Sequence, residues 1–211
     1  MEFDFITSKK EYYINIVLGI IAEGVLNKRK KINIIQNENY KNQKLAEEFN
    51  ILGTTNEKFW IGSSTEHIKK NKNTKEDIYF YLNDEENTRV FFVEGKRLPK
   101  YGKIEDEEYV SGLSTSGKES GGIERYKIGN HGIPHPNAQF GLIGYIEKKS
   151  IDFWHKKICN KIKEKWNNDT VLELNDNHTN TFRSKHKFEC EVEGFFTMHH
   201  FWIDLTTNID S

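Results

Sequence analysis

Apolar positions along the chain follow two rhythms. Near the N-terminus Tyr13, Ile16, Val17, Ile20 and Ile21 recur at three- and four-residue steps, the mark of one buried helical face. Ser8 followed by Glu11 reads as a capping box, so the pattern predicts a first helix over residues 9 to about 30. KNQKLAEEFN (41–50) predicts a second, more polar helix, Lys58–Gly62 a short strand, and KKNKNTK (69–75) solvated chain. EDIYFYL (76–82) and TRVFFVEGKRL (88–98) then change to runs of Ile, Val, Phe and Tyr joined by the polar NDEEN. Both faces of each run are bulky and apolar, which predicts central strands covered on two sides.

Farther along, GIERYKIGNHG (122–132) suggests a short helix and AQFGLIGYI (138–146) a buried strand. IDFWHKKICNKIKEKW (151–166) sets Ile151, Trp154, Ile158, Ile162 and Trp166 on one stripe, with lysines elsewhere that could track a phosphate backbone. TFRSKHKFECE and GFFTMHHFWIDL predict two more strands. The sum is an α/β fold, a mixed central sheet flanked by helices. The stretch from Pro99 to Gly122 is rich in Gly, Ser and Glu, and Ser111–Gly121 is expected to be poorly ordered without a ligand.

Composition narrows the function classes. A chain of 211 residues is expected to be one domain. Its 31 Lys+Arg against 32 Asp+Glu exclude a binder held by bulk positive charge but allow a local basic groove. Two cysteines, Cys159 and Cys190, cannot build a disulfide scaffold or a four-thiolate zinc site. The longest apolar run, Ile16 to Ala22, is too short to span a bilayer, and MEFDFITSKKE lacks the order of a signal peptide. The expectation is a soluble, cytoplasmic protein. His186, His199, His200 and Cys190 do not make a zinc motif, because strand alternation puts His199 and His200 on opposite faces. SGLSTSGKESGG lacks the P-loop spacing.

The strand pair carries the chemistry. If Leu82 lies opposite Arg89, residues facing each other have numbers summing to 171. Asp77 then faces Glu94, and Lys96 follows on the same face. Two carboxylates about 5 Å apart on a covered sheet repel and lose hydration, which favours a cation between them. Mg²⁺ suits such oxygen donors, and a neighbouring lysine can orient or deprotonate water and offset charge on a phosphorane. A second acid-x-lysine, Glu147-Lys148-Lys149, has no opposed acid and reads as surface charge.

Asp77, then sixteen residues, then Glu94-Gly95-Lys96, resembles the PD-(D/E)xK (restriction-endonuclease-like) nuclease superfamily, with Glu76 where proline often stands. FFVEGKRL, EYVSG, GGIERYKIGNHG, FGLIGYI, FRSKH and HHFWIDL, in that order, resemble uncharacterised bacterial members that accompany restriction or anti-phage genes. The resemblance covers 76–205 as a catalytic core, with 1–75 as a helical N-terminal part. It implies a Mg²⁺- or Mn²⁺-dependent endonuclease acting on nucleic acid, DNA first and RNA as the open alternative, with a defence protein as a further partner. It implies that Asp77, Glu94 and the Gly95 carbonyl hold metal, Lys96 positions water and Arg125 contacts phosphate. The alternative for Arg125 is an ion pair with Glu124 or Glu119, and His131 reads as a helix C-terminal group. A helical glutamate that contacts metal-bound water is also implied; Glu23 is the candidate, with Glu11, Glu47 and Glu48 competing. The rival reading is a nuclease-like fold without activity, serving as a nucleic-acid-binding or assembly subunit.

Overall fold

Alternating burial along the strands organises this molecule into two cores on either side of one sheet. The computed structural model describes residues 2–68, 75–175 and 178–206, apart from the side chains of 2–9, 66–68 and 75–76. Two helices, α1 (Glu2–Lys28) and α2 (Glu38–Thr55), lead into three strands, β1 (Ile61–Ile68), β2 (Lys75–Leu82) and β3 (Arg89–Leu98). Then come α3 (Gly122–Lys127), β4 (Gln139–Ile146), α4 (Ile151–Lys165), β5 (Glu173–Leu174), β6 (Thr181–Lys187) and β7 (Phe195–Asp204). The strands join in the order β1-β2-β3-β4-β7-β6-β5, with β3–β4 and β4–β7 parallel and the rest antiparallel. The mixed α/β sheet flanked by helices is therefore as expected. Ile78, Phe80, Phe91, Val93 and Ile143 face α1 and α2, whereas Phe92, Phe140, Leu142 and Trp202 face α3 and α4.

Several boundaries move. Helix α1 begins before Ser8, since no Gly or Pro in Glu2–Thr7 stops it, and the Ser8–Glu11 pair lies inside the helix. Helix α2 starts at Glu38 because Asn37 caps it, its Oδ1 accepting the Tyr40 N–H at 2.8 Å. Lys58 belongs to the turn closing α2, its N–H donating to Gly53 O at 2.7 Å, so β1 begins later than expected. That strand lies within the first 75 residues, which thus supply an edge of the sheet as well as helices. Of KKNKNTK, only Lys75 lies among the described residues. No helix among the described residues is long and apolar enough to cross a membrane.

The loop after β3 overturns its expectation. Tyr109 and Val110 are fully buried in the α3–α4 core. Ser111–Gly121 folds back on itself, with Ser114 N–H donating to Lys118 O at 2.8 Å and Ser120 N–H to Gly112 O at 2.9 Å. Lys161 of α4 pairs with Glu107 and donates to Ser111 O at 2.9 Å, and Lys165 pairs with Glu124 at 2.7 Å. Those two lysines anchor the loop and α3, and so are not part of a free tracking surface.

A buried polar chain ties this loop to the sheet. Asp169 Oδ2 lies 2.8 Å from His186 Nδ1, and His186 Nε2 lies 2.6 Å from Ser184 Oγ. Ser184 Oγ lies 2.7 Å from His200 Nε2, and His200 Nδ1 lies 2.9 Å from Tyr109 OH, which accepts from Trp202 Nε1 at 2.8 Å. A carboxylate at one end and an obligate N–H donor at the other orient every proton in one sense, with both imidazoles neutral. Burial lowers the pKa of His186, and burial with its histidine neighbours holds His200 well below its ordinary value. Burial and Arg183 bring His199 down to about 4.

Histidines that resist protonation only when folded stabilise the fold above their unfolded pKa of about 6.5. Stability is lost as pH falls from there, because the unfolded chain takes up the protons. Thermal melts should therefore show a falling Tm between about pH 6.5 and 4. His200→Gln, which can hydrogen-bond without titrating, should flatten that slope; an unchanged slope would show that His200 contributes nothing to it.

Candidate active site

The register that brings the acids together is the one their sequence predicts, up to a point. Ile78 pairs with Val93, Tyr79 with Phe92 and Phe80 with Phe91, each summing to 171. Beyond Phe80 a bulge shifts Arg89 opposite Tyr81, where Leu82 was expected. The shift lies at the hairpin end, and at the other end the ladder stops at Ile78–Val93, next to the two acids. There the Gly95 N–H donates to Asp77 Oδ2 at 2.7 Å.

Glu94 is 1% exposed, and its charge is met from three sides. Lys96 Nζ and Arg125 Nη1 each lie 2.7 Å from Oε1, and His131 Nδ1 lies 3.2 Å from Oε2. Burial alone would raise the pKa of Glu94, but His131, Lys96 and Arg125 outweigh it and bring the value down to about 2. Burial also opposes the charge on Lys96, yet Glu94, Glu38 and Asp77 together hold its pKa above the ordinary lysine value. Asp77 is the opposite case. Burial and the neighbouring Glu94 push its pKa well up, so its charged form is disfavoured where it stands.

Helix α2 completes the site. Glu38, in its first turn, accepts the Arg97 N–H at 3.1 Å, and its own pKa is raised by burial. Asn42, one turn on, packs against Gly95, where any side chain would overlap its carboxamide; it also accepts from Tyr145 OH at 2.6 Å. The glycine of Glu94-Gly95-Lys96 is thus what lets α2 approach the strand. Below, Glu147 takes Arg97 in two parallel bonds, Nε at 2.8 Å and Nη2 at 2.7 Å, and pairs with Lys41. Glu147 is accordingly a buried clamp between α2, β3 and the end of β4, and the expectation of surface charge holds only for Lys148 and Lys149. Asp77 opens into a cavity of about 290 Å³ lined by Asn37, Tyr40, Asn42, Gln43 and Thr65.

The expected residues Asp77, Glu94, Gly95, Lys96 and Arg125 all converge. Arg125, expected to contact phosphate with an ion pair to Glu124 or Glu119 as the alternative, pairs with Glu94, an acid 31 residues away in sequence. His131, expected at a helix end, is fully buried against Glu94. Glu23 stands elsewhere, exposed and bonded to Asn56 at 3.3 Å; Glu48 pairs with Lys28 at 2.8 Å, Glu47 with Lys44 at 2.6 Å, and Glu11 is exposed. The helical glutamate beside the acids is Glu38. Its signal was the Asn37 cap, which starts α2 three residues earlier than its apolar pattern does.

Whether a divalent cation fits can be judged from the donors. Glu94 Oε2 has no hydrogen-bond partner among the described residues, and Asp77 bears a charge that its surroundings disfavour. A cation would relieve both. No group of three His, Cys, Asp or Glu forms a ready metal cage among the described residues. Mg²⁺ requires none, since one or two carboxylates plus waters and phosphate oxygens suffice. The donor set fits an ion of that kind.

Glu147→Ala would leave Lys41 and Arg97 without their shared partner, and breaking a buried pair costs roughly 3–5 kcal/mol. Urea unfolding should show a loss of about 3 kcal/mol, whereas Glu47→Ala on the exposed Lys44 pair should leave the midpoint in place. Equal midpoints for the two variants would refute the clamp.

No family model matches the chain, and no curated protein or solved structure matches it either.

Proposed function

We propose that the protein is a metal-dependent nuclease of restriction-endonuclease-like fold, a member of the PD-(D/E)xK superfamily. The observation that carries this reading is the apposition of Asp77 and Glu94 on neighbouring antiparallel strands, with the Lys96 ammonium 2.7 Å from Glu94. Asp77, Glu94 and the Gly95 carbonyl would hold Mg²⁺ or Mn²⁺; that carbonyl leaves β3 on the same side as the N–H bonded to Asp77. When bound, the ion supplies Lewis acidity toward a phosphoryl oxygen and lowers the pKa of a coordinated water.

The protein groups divide the remaining work. Lys96, whose pKa Glu94, Glu38 and Asp77 raise against the effect of burial, would orient the attacking water and offset charge on the phosphorane. Arg125 presents a guanidinium beside Glu94, where it can turn to a phosphate oxygen with paired donors. Glu38 keeps a third carboxylate within electrostatic reach of Lys96 and Glu94. The substrate is nucleic acid, and a bacterial defence context follows from the resemblance alone. One observation favours the rival, a binding or assembly module: Lys96 and Arg125 already pair with Glu94, with His131 beside it, without any metal.

Purified protein should nick plasmid, single-stranded DNA or RNA with Mg²⁺ or Mn²⁺, and EDTA should stop it. Lys96→Ala should lower cleavage at least about a hundredfold, in line with the usual weight of such groups, while metal binding by calorimetry persists. Wild-type turnover in that variant would place the chemistry elsewhere, and no metal binding at millimolar concentration would favour the binding module.

A further inference from the structure

On the face of β2 that carries Asp77, the next two side chains are Tyr79 and Tyr81, both half-buried, with Tyr79 packed against the edge of the α3–α4 core. They floor a separate hollow of about 720 Å³ whose other walls include Ser64, Arg89 and Ile133. The facing positions on β1 are small: Gly62 lies opposite Tyr81 and Ser64 opposite Tyr79. A side chain at Gly62 would overlap the hydroxyl end of the Tyr81 ring, so the glycine leaves room for that ring. The Arg89 guanidinium sits 5.0 Å above the Tyr79 ring, and the two tyrosine centroids are 5.9 Å apart. The hollow and the acid site are neighbours along β2. Asp77 is one strand repeat from Tyr79, and Ile133 on the rim is two residues from His131, which faces Glu94.

We infer that this floor is a nucleobase-stacking platform, and that the nucleic acid enters as an unpaired strand. Two aromatic rings, tilted 45° to one another beside an arginine, suit bases, whose faces stack without regard to sequence, while the guanidinium serves stacking or the phosphate. A base within a duplex offers its faces only to its neighbours, and the recessed rings cannot reach it. With a phosphate at Asp77 and Glu94, the flanking bases fall over Tyr79 and Tyr81. The inference rests on the nuclease reading of Asp77 and Glu94, but it is tested separately.

The test uses full-length protein carrying Lys96→Ala, so that strands are bound and not cut. Fluorescence anisotropy is read with labelled single-stranded DNA, the same sequence as RNA, a blunt duplex, and an abasic deoxyribose-phosphate strand. Base-bearing single strands should bind at least about tenfold tighter than the abasic strand and tighter than the duplex. Tyr79→Leu with Tyr81→Leu should erase that gap, and Tyr79→Phe with Tyr81→Phe should keep it. Ser64→Trp, which fills the hollow from β1, should also erase it and serves if the leucine pair fails to fold. The DNA and RNA arms tell which sugar is preferred. An undiminished gap in folded leucine or tryptophan variants, or a duplex bound as tightly as a single strand, overturns the platform. Ring-dependent binding without Mg²⁺- or Mn²⁺-dependent cleavage by wild-type protein would overturn the nuclease reading and leave the platform standing. Cleavage that ignores the rings would do the reverse.

Discussion

A carboxylate that is 1% exposed governs how this molecule is assembled. Glu94 sits in mid-sheet beside a second acid, an arrangement that water would not tolerate losing unless charge were returned from elsewhere. Lys96 comes from the same strand, Arg125 from α3 and His131 from the segment after it. The loop and helix that follow β3 are thus held over the sheet by the acid as well as by Tyr109, Val110 and Ile123 in the core. Asp77 takes the Gly95 N–H instead, and the asymmetry matters: His131, Lys96 and Arg125 outweigh burial and lower the pKa of Glu94, while burial and Glu94 raise that of Asp77.

Around this pair the rest of the polar interior acts as scaffolding. Glu147 locks Arg97 and Lys41 beneath α2, and Glu38 caps the Arg97 amide from the same helix. The first turn of α2 is thereby fixed against the end of β3, with Asn42 seated on Gly95. On the other side of the sheet, the chain from Asp169 to Trp202 fixes Tyr109 and so the loop that carries Glu107 to Lys161. These buried ion pairs and hydrogen bonds join segments far apart in the chain, which gives a largely polar site a rigid frame.

The local pattern determined the element types. Period-two and continuous apolar runs marked β2, β3, β4 and β7, and the stripe from Ile151 to Trp166 marked α4, because those periodicities reflect burial against one or two faces. The hairpin register put Asp77 beside Glu94, since strand pairing is a near-neighbour property that short loops transmit. Strand alternation put Lys96 on the same face, the family resemblance singled out Arg125, and both lie beside Glu94.

What the sequence by itself could not decide was every pairing between charges far apart along the chain. Glu147 and Glu23 look alike in sequence, yet one is a buried clamp and the other an exposed side chain, because only packing distinguishes the positions that α2 covers. Glu38 went unnoticed because its helix begins with a polar turn that has no apolar stripe. Ser111–Gly121 looked loose because two buried residues, Tyr109 and Val110, and two lysines of α4 outweigh its glycines and serines. Long-range ion pairs leave no periodic mark in the sequence. They exist where the folded chain has removed water, and only the tertiary structure decides where that happens.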